Sequence, residues 1–129
     1  MLLVDTSAWI EFLRATGSPV ALRVRSLAAD LQYATTDLVL AELRVGARSE
    51  QEELRVRRIA ETGRFYPIRP LFDYETAADI ARACRRAASP VAIADCLIAA
   101  VAVNNDLDLL AADRGFETIA LHSGLRLAA

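Results

Sequence analysis

A parallel α/β sheet with helices on both faces is the fold this sequence predicts, and three observations lead to it. Short apolar runs recur along the chain, separated by stretches of helical periodicity. Cap and turn signals stand between them, giving the strand–helix alternation of a doubly wound sheet rather than of a meander. At 129 residues and 54% hydrophobic, the chain can bury one full core and is too short for two. Residues 1–129 are therefore read as one domain around a central sheet of five parallel strands.

The elements follow in order. Leu2 to Val4 form a short buried strand that leaves Asp5 at its carboxyl end, and Thr6 or Ser7 can cap a helix through about Arg14. Ser18-Pro19 is an N-cap followed by proline at the first helical position, opening a helix to about Ala29. Leu31 to Thr35 read as the second strand. Asp37 can cap a helix through Val45, with Gly46 near its end, and Ser49-x-x-Glu52 is a capping box for the next helix. Phe65 to Ile68, after Gly63, read as the third strand, followed by a helix from about Asp73 to Ala87. Ser89-Pro90 opens an almost wholly apolar helix to about Val103, which belongs in the core. Leu107 to Leu110 and Thr118 to Leu121 complete the sheet, joined across Asp113-Arg114-Gly115-Phe116.

Composition narrows the chemistry. The chain has no lysine and one histidine, His122, so a P-loop, a Schiff base and acid–base catalysis by a histidine pair are all excluded. Cys84 and Cys96 have no zinc-site spacing. All 15 basic residues are arginine against 17 acids, a net charge of −2, so a polyanion would have to be held by local arginines or by metal ions. The Met-Leu-Leu-Val start is too short for a signal peptide, and the longest nearly apolar segment, Val91 to Val103, falls well short of the roughly 20 residues of a membrane helix. A cytoplasmic protein with no membrane span is expected.

Four acids stand out. Asp5 and Asp113 follow predicted strands, which places them on the rim where parallel sheets bind ligands, although each could simply cap the next turn. Glu42 shares a helical face with Leu38 and Val45, and Asp95 sits among Val91, Ile93, Ala94, Cys96 and Leu97 with no polar face to hide in. A carboxylate so placed must be neutral, salt-bridged or metal-bound. Arg44, Arg48, Arg82 and Arg85 could pair with these acids. A set of carboxylates without lysine or histidine better matches the preference of Mg²⁺ and Mn²⁺ for hard oxygen donors.

The order of these residues carries a resemblance. Val4-Asp5-Thr6-Ser7-Ala8-Trp9-Ile10, Thr36-Asp37-Leu38-Val39-Leu40-Ala41-Glu42-Leu43, Ile93-Ala94-Asp95-Cys96-Leu97-Ile98-Ala99-Ala100 and Ala112-Asp113-Arg114-Gly115-Phe116 resemble, in order, the four acidic blocks of PIN-domain proteins. The small size and the Asp-Cys-Leu-Ile-Ala-Ala helix look most like the VapC branch, the toxins of VapBC toxin–antitoxin modules. Ala111 stands where many relatives carry threonine or serine.

That resemblance implies a homodimeric, Mg²⁺-dependent endoribonuclease (Mn²⁺ as substitute) that cleaves tRNA, rRNA or mRNA to inhibit translation and is restrained by a cognate VapB-type antitoxin. By carry-over, Asp5 and Asp95 would ligate the principal metal, Glu42 would reach it directly or through water, and Asp113 would support a second ion. Ser7, and with it Thr6, would orient a carboxylate or a ligand water. The alternatives are a receiver-like Mg²⁺-binding domain, disfavoured by the missing lysine, and a non-catalytic interaction domain whose acids bind an arginine-rich partner. Trp9, Phe12 and Leu13 are read as core or dimer contacts, Arg82, Arg85 and Arg86 as solvated surface, and His122 as structural or exposed.

Overall fold

The computed structural model describes residues 1–128, which fold in the order β1 (Leu2–Val4), α1 (Thr6–Leu13), α2 (Pro19–Ala29), β2 (Tyr33–Thr35), α3 (Asp37–Gly46), α4 (Glu50–Thr62), β3 (Arg64–Phe65), α5 (Phe72–Arg86), α6 (Ile93–Asn104), β4 (Asp108–Leu110) and α7 (Gly115–Leu121). The strands form one parallel sheet in the order β3-β2-β1-β4. Among the described residues the sheet has four strands, not the expected five. Thr118 to Leu121 lie in α7, because Phe116 and Ile119, three residues apart, are both buried and so define a helical rather than an alternating face. The place beside β4 is taken by the chain's end: Leu109 N–H donates to Arg126 O at 2.9 Å and Ala128 N–H to Leu109 O at 2.8 Å.

Local signals set most boundaries. Ser18 and Ser49 cap α2 and α4 through Ala21 N–H and Glu52 N–H, both at 3.1 Å. Three expected starts are displaced. Asp5 itself caps α1, in place of Thr6 or Ser7. Thr36 occupies the N-cap of α3, while Asp37 Oδ1 turns out to accept from Ile68 N–H at 3.0 Å, fixing the chain just past a shortened β3. Ser89-Pro90 does not open α6: Ala88 adopts a left-handed φ of 57° and Ser89 N–H returns to Cys84 O at 2.9 Å, so these residues close α5 instead. Ala92 is the N-cap of α6.

The core runs through the sheet and α6, whose residues Cys96 to Ala102 are all buried, as the apolar composition of that helix requires. Trp9 is fully buried and meets Tyr33 and Phe12 edge-on, with ring centroids 5.0 and 6.0 Å away. Arg82, Arg85, Arg86 and His122 are exposed. No helix among the described residues is long and apolar enough to cross a membrane.

The strand order also decides where a site can form. From β1 the chain moves one way, to β2 and β3, and later returns to place β4 on the other side of β1. The connections therefore diverge between the carboxyl ends of β1 and β4, the crevice in which open parallel sheets bind ligands.

Candidate active site

Asp5 lies in that crevice. It follows β1 directly, its N–H donates to Leu110 O at the end of β4 (2.9 Å), and its side chain is only 3% exposed. Its Oδ2 accepts from Ser7 N–H at 2.9 Å and Ser7 Oγ at 2.6 Å. Ser7 Oγ in turn accepts from Ala112 N–H at 2.9 Å and Asp113 N–H at 3.2 Å. One hydroxyl thus uses its donor and both acceptor positions to join the start of α1 to the connection after β4. Asp113 sits on that connection, exposed, with Oδ1 accepting from Gly115 N–H at 2.8 Å.

Glu42 reaches the same region from α3, where Thr6 Oγ1 donates to its Oε1 at 2.7 Å. Its surroundings differ from the expected ones. Glu42 is half-buried, but Val45 is 89% exposed, and the buried face of α3 carries Val39 and Leu43. Position beside Thr6, rather than apolar company, is what singles it out. Asp95 belongs to the first turn of α6 instead of its middle, and it is half-buried.

The electrostatics tie the four together. Burial, then the charges of Asp5, Asp113 and Glu42, push the Asp95 carboxyl up from 3.8 to about 6. Burial likewise raises Asp5, opposed by its hydrogen bonds from Ser7 and reinforced by Glu42. Among the described residues, the charges that raise Asp95 are those of the other three acids. Among the described residues Arg14 pairs with Glu52, Arg69 with Asp73, and Arg126 with Asp106 and Asp108, and none of these pairs involves the four acids or the expected Arg44, Arg48, Arg82 or Arg85. Among the described residues no three acidic side chains converge on one ion position. Asp5, Glu42 and Asp113 each accept a hydrogen bond from nearby protein groups instead.

One further residue of the site went unread in the sequence. A Cβ on Gly115 would stand 3.2 Å from Asp113 Oδ1 and 3.7 Å from Asp95 Oδ2, so this glycine lies between two of the acids. Its signal was available: glycine opens α7, a position that other residues fill with less loss of chain entropy.

The PIN domain family model matches residues 2–121, a span that contains all four acids. The chain belongs to the PIN-domain family. Among curated relatives of this PIN-domain protein, a VapC ribonuclease of Mycobacterium bovis and Ribonuclease VapC11 of Mycobacterium tuberculosis are each 35% identical to it over 131 aligned positions, covering 99% of this chain and 98% of theirs. The PIN fold is shared with VapBC2 of Rickettsia felis, solved bound to a promoter DNA fragment (TM-score 0.78, 15% identity, 98% of this chain and 96% of that one), and with DNA-bound VapBC of Salmonella typhimurium (TM-score 0.78, 20% identity, 99% and 98%).

Proposed function

We propose that this PIN-domain protein is an endoribonuclease dependent on Mg²⁺ or Mn²⁺, the toxin half of a VapBC pair, working as one domain in the cytoplasm. The observation that carries this reading is the gathering of Asp5, Glu42, Asp95 and Asp113 at the crevice between β1 and β4, with the charges of the other three raising Asp95. The VapC ribonucleases to which the chain is 35% identical along their whole length supply the reaction class.

The donor set fits the ion. Carboxylate oxygens are the hard ligands Mg²⁺ and Mn²⁺ prefer, and a divalent charge offsets the repulsion that raises Asp95. Asp5 and Asp95 would hold it, Glu42 and Asp113 completing the set as they turn in from their present hydrogen bonds. When bound, such a cation supplies a nucleophile at neutral pH and neutralises charge on the scissile phosphate. The protein's own part is positioning: Ser7 engages Oδ2 of Asp5 through two donors and fixes the Asp113 connection, and Thr6 holds Glu42. As the resemblance to PIN-domain nucleases implies, water would be the attacking group, and the products would carry 5′-phosphate and 3′-hydroxyl ends.

Structures that share the fold include VapBC complexes, which supports a VapB-type partner, and a homodimeric toxin is part of the same proposal. An arginine from that partner, placed bidentately on the carboxylates, would exclude the metal. The test is cleavage of RNA by purified protein with Mn²⁺, Mg²⁺ or EDTA, followed by ligation of the fragments without kinase treatment. Cleavage only with metal, and direct ligation, are expected. Undiminished cleavage in EDTA, or 2′,3′-cyclic phosphate ends, would overturn the reading.

A further inference from the structure

Resting on the RNA-cleaving function proposed above, we infer that Arg82, Arg85 and Arg86, at the end of α5, are positioning residues that hold the RNA phosphates flanking the one to be cut. The packing of two helices places them. Asn104, at the end of α6, donates through Nδ2 to Asp73 Oδ1 at 2.7 Å and to Thr76 Oγ1 at 3.1 Å, both near the start of α5, so α5 and α6 run antiparallel. Nine residues on from Thr76 stands Arg85, and nine back from Asn104 stands Asp95. Both helices advance by about 1.5 Å per residue, so Arg85 and Asp95 lie level, on axes that pack roughly 8–10 Å apart. Their neighbours Cys84 and Cys96 are buried together in the core between the two helices.

The fold itself makes no use of these three charges. They fall at i, i+3 and i+4, on one helical face, and all are exposed. Among the described residues none of the three guanidiniums has an ion pair, a hydrogen bond or an aromatic ring against it, whereas Arg14, Arg69 and Arg126 are engaged by acids and Arg55 and Arg64 lie over the rings of Phe12 and Tyr66. The dipole of α5 favours cations in its last turn, which accounts for Arg85 and Arg86 but not for Arg82 one turn earlier on the same face. A substrate does account for it. With a net charge of −2 and four acids in the crevice, the protein repels RNA unless cations beside the site neutralise phosphates, and a guanidinium engages a phosphate bidentately.

The decisive experiment compares wild type with a variant carrying Arg82→Gln, Arg85→Gln and Arg86→Gln, and with its counterpart carrying lysine at the same positions. A control carries Arg55→Gln, Arg57→Gln and Arg58→Gln on α4, which runs to the amino end of β3 and so to the edge away from the crevice. All the substituted residues are exposed, so melting temperatures should match that of wild type. With Mn²⁺ and a single-stranded RNA oligonucleotide that the wild type cuts, kcat and KM are read across a salt series. The glutamine variant should raise KM roughly tenfold or more with a far smaller change in kcat, and should flatten the slope of log KM against log salt by about 2, each lost contact to a single strand counting for about 0.7. The lysine variant should keep most of the affinity, and the α4 control should stay near wild type. Wild-type KM and slope in the glutamine variant, or an equal shift in the control, would overturn the inference, and loss of antitoxin binding with RNA kinetics intact would assign this face to the partner instead. Failure of the wild type itself to cut RNA with Mn²⁺ would overturn the function beneath it.

Discussion

Asp5 is nearly inaccessible, and burial disfavours its charged form, so its ionised carboxylate works against the fold for as long as no cation faces it. Asp5→Asn keeps the acceptor that Ser7 uses and removes the charge. Its metal-free melting temperature should equal or exceed that of wild type while RNA cleavage falls roughly a hundredfold or more. Unfolding of the metal-free variant, with activity lost only in proportion, would make Asp5 a structural cap. Asp95 adds a pH signature. Its carboxyl titrates at about 6 in the folded chain and near 3.8 when exposed, so between those values the folded state keeps a proton the unfolded state has released. Asp95 therefore subtracts stability progressively as pH rises from about 4 to about 6, opposite to a salt-bridged acid. Metal must displace that proton, so Mn²⁺ affinity should weaken below about pH 6, which calorimetry at pH 5 and 7 would read directly; equal affinities would show Asp95 to be no ligand. Ser7→Ala removes one donor and one acceptor serving three groups, and should lower stability by about 1 kcal/mol in denaturant titration. The acids themselves were legible in the sequence, because each stands in a patterned context along the chain. The reason given for Glu42 was not correct, and Gly115 was missed, because both depend on which residues meet across α3, α6 and the β4 connection.

The same division holds for the elements. Helix starts at Ser18 and Ser49 were readable because a cap is a contact over three residues. The start of α6 was not, because Ser89-Pro90 has the form of a cap and is consumed by the left-handed turn that ends α5. Nor could Thr118 to Leu121 be separated from a strand, since four residues satisfy both periods and only the burial of Phe116 beside Ile119 decides. Where an element ends against the core, a glycine can be obligatory for packing reasons. Gly63 terminates α4 under the ring of Tyr33, whose hydroxyl donates to Ile59 O at 3.0 Å and lies 2.6 Å from Thr62 Oγ1, so the ring cannot swing aside. A Cβ on Gly63 would overlap that ring, reaching 2.8 Å from Cδ2 as well. Gly63→Ala should therefore cost roughly 1–3 kcal/mol, and an unfolding midpoint equal to that of wild type would refute the packing account.

At the scale of the molecule, metal and partner should act as opposed ligands of one native state. Mn²⁺ binds the folded acids alone, so at a hundredfold excess over its Kd it should add about 2.7 kcal/mol of stability, seen as a higher melting temperature that Asp5→Asn largely lacks. The alternation of strands and helices made the parallel sheet legible, but the order β3-β2-β1-β4 was not, because nothing local says that β4 returns to the far side of β1. That return has a temporal meaning. β1 is made first and its neighbour β4 last, and the link from Ser7 to Asp113 spans 106 residues. During synthesis the ribosome therefore carries a chain whose first acid waits for its last. A chain of this design brings its four acids together only once the connection after β4 has been made, so the site is assembled late however early Asp5 is in place.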